Sequence, residues 1–254
     1  MSDGTGKPLS FPNKIVVSLR AGFMLALANI LCVAIFSWAW MHVRAEPKSI
    51  NVTGSAKQQL ESDLIVWSGT VSAANPELVG AYSQLQSGTD KVLAYLHAAG
   101  IPPSQIAVGS VMTAKHHAKD AQGHDTEKVV EYELSQSVEV TSGDIARVAD
   151  VARTITSLLR EGVMIESDAP RFIYTKLADL KIAMLAEATK DATARAQQIA
   201  SNSGAKLGSI SEARMGVMQI NPVNSNSVSD SGNNDTSARV KEITAVVTAR
   251  FSLE

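Results

Sequence analysis

Cysteine is nearly absent from this sequence. The one cysteine, Cys32, lies in an apolar N-terminal run, so the remainder of the 254 residues can form neither a disulfide nor a thiolate metal site. A domain without cysteine suits an oxidising compartment, where a free thiol would be exposed to oxidation.

The sequence also lacks a strong charge of either sign, and its formal net charge is −2. The first 45 residues hold four basic side chains and one acidic side chain, which leaves 19 basic against 24 acidic, or −5, for residues 46–254. Domains that bind nucleic acid are as a rule basic, because they neutralise phosphates. We therefore expect no nucleic-acid partner.

The common catalytic motifs are missing as well. The sequence contains no G-x-S-x-G nucleophile elbow, no H-E-x-x-H zinc helix, no P-loop and no G-x-G-x-x-G turn. Its Ser, His and Asp residues have no spacing that marks a triad, although triads are recognised by geometry. The sequence therefore predicts a protein that is not an enzyme, without catalytic, cofactor-binding or metal-binding residues and without a cofactor.

A long apolar run is present at residues 21–43. It holds 23 positions without Asp, Glu, Lys or Arg, and Arg20 and Arg44 flank it. At about 1.5 Å per residue, a helix of this length spans a hydrocarbon layer of about 30 Å. Trp38 and Trp40 lie near its C-terminal end, where aromatic side chains prefer the headgroup region. The run predicts a transmembrane helix that serves as an uncleaved signal anchor.

The basic residues around this run indicate its orientation: Lys7, Lys14 and Arg20 precede it, and Arg44 and Lys48 follow it. This bias favours a cytoplasmic N-terminus. We expect residues 1–20 in the cytoplasm, residues 44–49 as a linker, and residues 50–254 as the periplasmic domain of a single-pass protein of the inner membrane. The alternative is a cleavable signal peptide cut near Val43-Arg44-Ala45, although signal peptides usually have apolar runs of about 7–15 residues.

The remaining residues show both strand and helix periodicities. Alternating apolar residues predict strands at residues 50–56, 64–74, 106–115, 130–140, 164–174, 209–218 and 243–253. A 3.6-residue period predicts helices near residues 76–99, 144–161 and 176–203. Because strands and helices are segregated, we expect an α+β domain of antiparallel sheet packed with three helices. Residues 220–238 are rich in Ser, Asn and Asp, which predicts a mobile loop.

The last predicted helix is the longest, and we expect the domain to be arranged around it. Small and apolar residues recur at alternating spacings of four and three, which places them on one face. We expect this face to be buried; it comprises Ala178, Ile182, Leu185, Thr189, Ala192, Ala196, Ile199 and Ser203. Because the side chains on this face become smaller towards the C-terminal end, where Ala192 and Ala196 lie, another backbone should approach the second half of the helix closely. Gly204 should end the helix in a left-handed conformation.

One polar segment has residue types that occur in metal sites. His116, His117, Asp120 and His124 lie in a predicted connection at residues 116–128. Adjacent histidines point apart on an extended chain, and the i, i+4 helical spacing of common zinc motifs is missing. We expect a solvated loop here. The alternative is a periplasmic metal-binding protein or hydrolase-type enzyme that uses this loop.

Three acidic residues share one face of the strand that follows. Glu131, Glu133 and Glu139 alternate with apolar residues, so they could hold a cation or a basic partner. We expect them to form the solvated face of an antiparallel sheet.

Three stretches, taken in order, resemble the SIMPL-domain family. Residues 50–56 (INVTGSA), followed by Asp63 and an apolar strand, are similar to the family's opening V-T-G-x-G strand. Residues 132–140 (YELSQSVEV) resemble its central Y-x-x-S-x-x-V-x-V strand, and residues 188–208 resemble its pattern A-x-x-D-A-x-x-x-A-x-x-L-A-x-x-x-G-x-x-L-G. The sequence departs from the family at Ala56, where a second Gly is common, and at Ser62, where Pro usually precedes the Asp.

The resemblance implies an exported or envelope-located α+β domain. It also implies a tendency to form homo-oligomeric rings or channel-like assemblies, and a loose association with oxidative-stress defence, but it supplies no catalytic residues. We therefore expect a non-enzymatic envelope protein, held in the inner membrane by residues 21–43. Its outer domain should self-associate or bind another envelope protein.

Overall fold

The computed structural model describes residues 13–43 and 48–254, with side chains at residues 22–41 and 48–254. Residues 1–12, most of the predicted linker, and the candidate cleavage residues Arg44 and Ala45 lie outside this range. Within residues 13–43, the described part of the chain forms one helix, α1 (Asn13–Val43).

Helix α1 contains the predicted apolar run. Its segment Gly22–Met41 has a mean hydropathy of 2.0, and none of it is buried against other described residues. The rings of Phe36 and Trp40 stack along it with their centroids 6.1 Å apart. The helix is long and apolar enough to span a membrane, and it is a candidate membrane anchor or signal sequence.

The domain at residues 48–254 consists of ten strands and three α-helices. In chain order these are β1 (Ser49–Glu61), β2 (Leu64–Asn75), α2 (Leu78–Ala98), β3 (Ile106–Lys119), β4 (Asp125–Ser142), α3 (Ile145–Thr154), β5 (Met164–Ser167), β6 (Arg171–Ile173), α4 (Leu177–Asn202), β7 (Leu207–Met215), β8 (Gln219–Pro222), β9 (Asn233–Asn234) and β10 (Val240–Leu253). Short 3₁₀ helices occur at Pro103–Gln105 and Ile155–Glu161.

The strands form two five-stranded sheets. The terminal sheet has the order β1-β10-β8-β9, with β7 also on β10, and so contains the first and last strands. The inserted sheet has the order β3-β4-β2-β5, with β6 also on β2. Every pairing is antiparallel except the short one between β8 and β9. The predicted α+β domain of antiparallel sheet with three helices, one of them long, is confirmed.

The predicted strand faces are confirmed where one side is buried. In β10, Ile243, Ala245, Val247, Ala249 and Phe251 are all buried. In β2 the predicted inner face is buried as well, and it comprises Ile65, Trp67, Val71 and Ala73. Alternation identifies these faces because successive strand residues point to opposite sides of a sheet.

The face of α4 that contacts the terminal sheet differs from the predicted one. The buried residues follow a strict spacing of four: Leu180, Met184, Ala188, Ala192, Ala196 and Ala200. The predictions at Ala192 and Ala196 are confirmed, but Ile182 and Ile199 are 70% and 49% exposed. Four residues rotate a helix by about 40° more than a full turn, so the buried stripe winds around α4. Gly204 follows the helix with a φ of 74°, as predicted.

Two other predicted helices expose apolar residues at their ends. At the start of α2, Leu78 and Tyr82 are 47% and 50% exposed. The predicted helix at residues 144–161 changes to a 3₁₀ helix at Ile155. Three residues per turn rotate the side chains differently from an α-helix, and Leu159 is consequently 48% exposed.

The polar connection expected at residues 116–128 is mostly strand, so that prediction is wrong. Strand β3 continues to Lys119 and β4 begins at Asp125, with a short turn between them. Gly123 provides the left-handed residue of the turn, with a φ of 88°. Most residues of this hairpin are exposed on both faces, and it therefore has no apolar alternation to reveal it.

Residues 220–238 contain ordered elements despite their polar composition. Strands β8 and β9 lie partly or wholly within this range, and Ile220 and Asn221 are buried. The Asn221 amide donates to the carbonyl oxygen of Ser227 at 2.7 Å, and the Gln219 amide donates to that of Ser229 at 2.7 Å. The mobility of this loop stays a prediction.

Candidate functional site

Gly54 of β1 lies against α4 without room for a side chain. A Cβ at this position would lie 2.2 Å from the amide nitrogen of Ala192 and 2.3 Å from the carbonyl oxygen of Ala188. Both are backbone atoms, which cannot move aside as the end of a flexible side chain can. Glycine on the strand and alanine on the helix therefore permit the close approach, and the first and third motif stretches form one contact.

Asp191, next to this contact, binds the strand directly. Its carboxylate accepts the N–H of Ser55 at 2.8 Å and lies 2.9 Å from Nε of Arg195. These hydrogen bonds from Ser55 and Arg195, with the Arg195 charge, outweigh the opposing effect of desolvation and lower the pKa of Asp191. Among the described strands β1 pairs only with β10, so Asp191 satisfies a donor on its free edge. We assign a structural role to these motif residues.

Asp63 fastens the junction at which the chain leaves the terminal sheet for the inserted sheet. Its carboxylate accepts the N–H of Thr175 at 2.8 Å and the Thr175 hydroxyl at 2.7 Å, 112 residues along the chain. Desolvation alone would raise the pKa of Asp63. The hydrogen bonds from Thr175 and the nearby charge of Lys176 outweigh it, and the pKa is lowered. Asp63 thus links the exit from β1 to the entry into α4.

Ser62 occupies the position at which the family usually has proline. It is 3% exposed, and its N–H donates to the carbonyl oxygen of Arg239 at 2.9 Å. Proline could not donate this hydrogen bond. The Ser62 hydroxyl has no hydrogen-bond partner among the described residues. Serine therefore adds a backbone bond at the junction and leaves one buried hydroxyl unsatisfied.

Lys241 is a second link between the sheets, although the sequence predicted no role for it. It is 2% exposed, and its ammonium donates to the carbonyl oxygens of Phe172 in β6, at 2.6 Å, and of Asp235. Burial lowers the pKa of Lys241, and the charge of Asp235 partly offsets this effect. One signal was available: Lys241 is in phase with the buried residues of β10.

The described residues form a groove beside the first half of α4, which we call the α4 groove. Its volume is about 600 Å³, within the usual range for small-molecule sites. Three parts of the chain line it: Lys181, Ile182 and Leu185 of α4; Met215, Gly216, Val217, Met218 and Ile220 from the end of β7 to β8; and Ser231, Gly232, Asn233 and Asn234 after β8. Most of this lining is apolar.

The hairpin of β3 and β4 presents a different surface. Strand β3 is an edge of the inserted sheet, because it pairs with β4 alone among the described strands. Val111 and Met112, which follow each other on β3, are 38% and 71% exposed. Apolar side chains are therefore available on both faces beside a free strand edge.

Each histidine of the hairpin contacts a different partner. Nε2 of His116 lies 2.7 Å from a carboxylate oxygen of Glu133, and Nδ1 of His117 lies 2.8 Å from the carbonyl oxygen of Thr126. In the turn, Nδ1 of His124 lies 3.5 Å from the carboxylate of Asp120.

The predicted acidic face is partly engaged within the chain. Besides the His116–Glu133 pair, Glu139 lies 4.0 Å from Arg171. In residues 13–43 and 48–254 no group of three or more His, Cys, Asp or Glu residues is arranged to hold a metal ion. The described residues therefore offer no ligand set to the metal-binding alternative.

Comparison with known families gives one result. The model of the family described as SIMPL, a protein of unknown function (DUF541), matches residues 50–251. A search of curated proteins found no match at a significant level. The match extends from residue 50 in β1 to residue 251 in β10 and includes both sheets. On this evidence the chain belongs to the SIMPL family.

Proposed function

We propose that this protein is a membrane-anchored, non-enzymatic scaffold of the cell envelope whose outer domain binds copies of itself through the free edge of β3. The free edge is the single observation on which the self-association depends. The absence of catalytic motifs from the sequence supports a role without catalysis.

The edge of β3 is unusual in its length and composition. It extends over 14 residues, and residues 108–114 (VGSVMTA) include no charged side chain. Proteins usually protect edge strands with short length, charges, bulges or a covering element, because unpaired N–H and C=O groups bind other strands. Here the protecting features lie at the two ends, with a register shift between Val108 and Val111 and lysines at 115 and 119. The stretch from Val111 to Ala114 is left accessible.

An anchor would strengthen a weak contact of this kind. Strand β1 begins at Ser49, shortly after α1 ends at Val43. If α1 is held in a membrane, copies of the domain diffuse in two dimensions at one height, which raises their effective concentration. Modest pairing of β3 edges would then suffice for an oligomer.

The test is the mass of the full chain, extracted in mild detergent and measured by light scattering over a range of concentrations. We expect an oligomer for the native sequence. Replacing Val111 and Met112 together by Lys should shift it towards one chain, because charges on both faces oppose close packing. Val79, which is 75% exposed on α2, provides the control: Val79→Lys should leave the mass unchanged. A native chain that stays monomeric would contradict self-association, and an unchanged mass of the double variant would contradict the β3 edge.

We further propose that the domain lies in the periplasm and acts in envelope-stress or oxidative-stress defence. The basic residues that precede the apolar run at residues 21–43 support the orientation, and the family resemblance supports the setting. A reporter enzyme that requires export for its activity should be active when it is fused after Glu254, whereas a reporter that requires the cytoplasm should be inactive there. Activity of a cytoplasm-dependent reporter at the same position would contradict this topology.

A further inference from the structure

The α4 groove arises from a gap in the terminal sheet. Strand β7 ends at Met215 and pairs with residues 247–253 of β10, whereas β8 pairs with residues 241–244 of β10. Between β7 and β8 the chain leaves the sheet, apart from one hydrogen bond from the N–H of Gly216 to the carbonyl oxygen of Val246. The exposed side of α4 overhangs this gap, which opens a groove next to the core.

The floor and walls of the groove are apolar. Ile220 is 3% exposed, and Leu185 and Met218 pack against the buried cluster under α4, so the floor is part of the core. Ile182 is 70% exposed, and Val217 is 49% exposed. Apolar side chains exposed together, above a buried apolar floor, are typical of a binding site rather than of ordinary surface.

The lip of the groove is held in place by the segment that follows β8. Gly232 has a φ of 89°, and a Cβ there would lie 2.7 Å from Cγ1 of Val217. The Asn233 amide donates to the side-chain oxygen of Asn221, and the Gln219 amide donates to Ser229. These hydrogen bonds stabilise the wall in the shape that forms the groove, and a wall shaped in advance reduces the entropy lost on binding.

The charge at the groove selects the kind of ligand. Lys181 is the only charged residue in the lining given above, and no described residue forms an ion pair with it. Its long side chain can present the ammonium at the rim while its methylene groups cover apolar surface. An apolar trough with one cation at its mouth is complementary to a chain-like molecule that carries one anion at its end.

We propose that the α4 groove binds a single-chain carboxylate, a long-chain fatty acid, with its hydrocarbon chain over Leu185, Met218 and Ile220 and its carboxylate on Lys181. The groove is separate from the β3 edge, which lies in the other sheet. The inference therefore stands independently of the proposed self-association.

The test uses the full chain in lipid nanodiscs and a photoactivatable palmitic acid whose chain carries a diazirine. After irradiation, mass spectrometry of the peptides locates the label. The apolar segment Gly22–Met41 provides an internal reference, because it should be labelled from the bilayer in every variant. We expect additional label on residues 215–220 and on the first half of α4, displaced by palmitic acid but not by hexadecanol.

Two variants and one control separate the groove from nonspecific labelling. Lys181→Glu should reduce groove labelling about threefold to tenfold relative to the anchor, because an attractive charge becomes repulsive. Ile182→Glu should reduce it as well, and the exposure of both positions leaves the fold intact. Lys190→Glu, which changes a lysine that lies 3.9 Å from Glu187 on the same helix, should leave labelling unchanged.

Three results would overturn the inference. Label confined to the anchor would show that no fatty acid enters the groove. Groove labelling that is insensitive to Lys181→Glu, or equally displaced by hexadecanol, would exclude the carboxylate contact. An unlabelled groove together with a lower oligomer mass for Ile182→Glu would assign the groove to a second copy of the chain.

Discussion

The inserted sheet packs against its helices in a different way from the terminal sheet under the second half of α4. Under α2 and α3, the inserted sheet buries large side chains, among them Trp67, Leu85, Leu96 and Ile155. Under the second half of α4, the terminal sheet buries Ala192, Ala196 and Ala249 beside Val52 and Phe251. One interface is filled by side chains, and the other depends on backbones that approach closely.

This difference determines which kind of substitution each half can tolerate. An interface of large, interlocking side chains loses stability when a side chain is truncated, because a cavity remains. An interface of glycine and alanine loses stability when atoms are added, because backbone atoms cannot yield. The inserted half should therefore be most sensitive to smaller side chains, and the contact under the second half of α4 should be most sensitive to larger ones.

The largest effect is expected from truncation in the inserted half. Leu96 of α2 is completely buried, and Leu96→Ala should lower the free energy of unfolding by about 2–5 kcal/mol. Urea unfolding of the full chain in detergent, followed by circular dichroism, provides the measurement. Leu78 on the same helix is 47% exposed, and Leu78→Ala should cost much less. Equal losses at the two positions would contradict the packing described for α2.

A smaller loss is expected from one added methyl group in the terminal half. Gly54→Ala should lower the free energy of unfolding by about 1–3 kcal/mol, because α4 must move away from β1. The same urea titration measures it. At Gly143 a Cβ would meet only the carbonyl oxygen of Asp63, at 3.7 Å, so Gly143→Ala is the matched control. If Gly54→Ala is as stable as Gly143→Ala, the close contact between β1 and α4 does not exist in solution.

The smallest effect concerns the junction and depends on pH. Because the pKa of Asp63 is lower in the folded protein than in the unfolded chain, its ionised carboxylate stabilises the fold above the ordinary pKa of about 3.9. This contribution is lost as the pH falls through the lower folded value. Asp63→Asn should therefore destabilise the chain near neutral pH, and the difference from the native chain should shrink in acid. A difference that is constant from pH 7 to pH 3 would show that the charge of Asp63 plays no part.

The sequence predicted the regions in which one face is buried and the other is solvated. The alternating residues of β2 and β10 carry this information locally, and so does Gly204 at the end of α4. The inward face of α4 could be predicted only at Ala192 and Ala196. At other positions apolar character does not identify the buried residues, because Ile182 and Ile199 are exposed whereas Ala188 and Ala200 are buried. Which residues contact the sheet depends on the twist of the sheet, around which the buried stripe of α4 winds.

The surfaces proposed for binding were harder to predict. The β3–β4 hairpin is exposed to solvent on both faces, so its strands lack the alternation of apolar and polar residues that marks a half-buried strand. The link between Asp63 and Thr175 joins residues 112 positions apart, and the α4 groove combines α4 with the segment after β7. Such sites depend on tertiary packing, and no local pattern encodes them.

The position of β10 has a consequence for the order in which the domain is made. The inserted sheet uses one continuous stretch, residues 64–173, and can form as soon as that stretch has been synthesised. Strand β1 is made earlier, but its partner β10 consists of the last residues of the chain, from Val240 to Leu253. Pairing between such distant segments is slow, because a long loop must close first. Strand β1 is therefore the first strand of the domain to be synthesised, and it remains unpaired until β10 is complete.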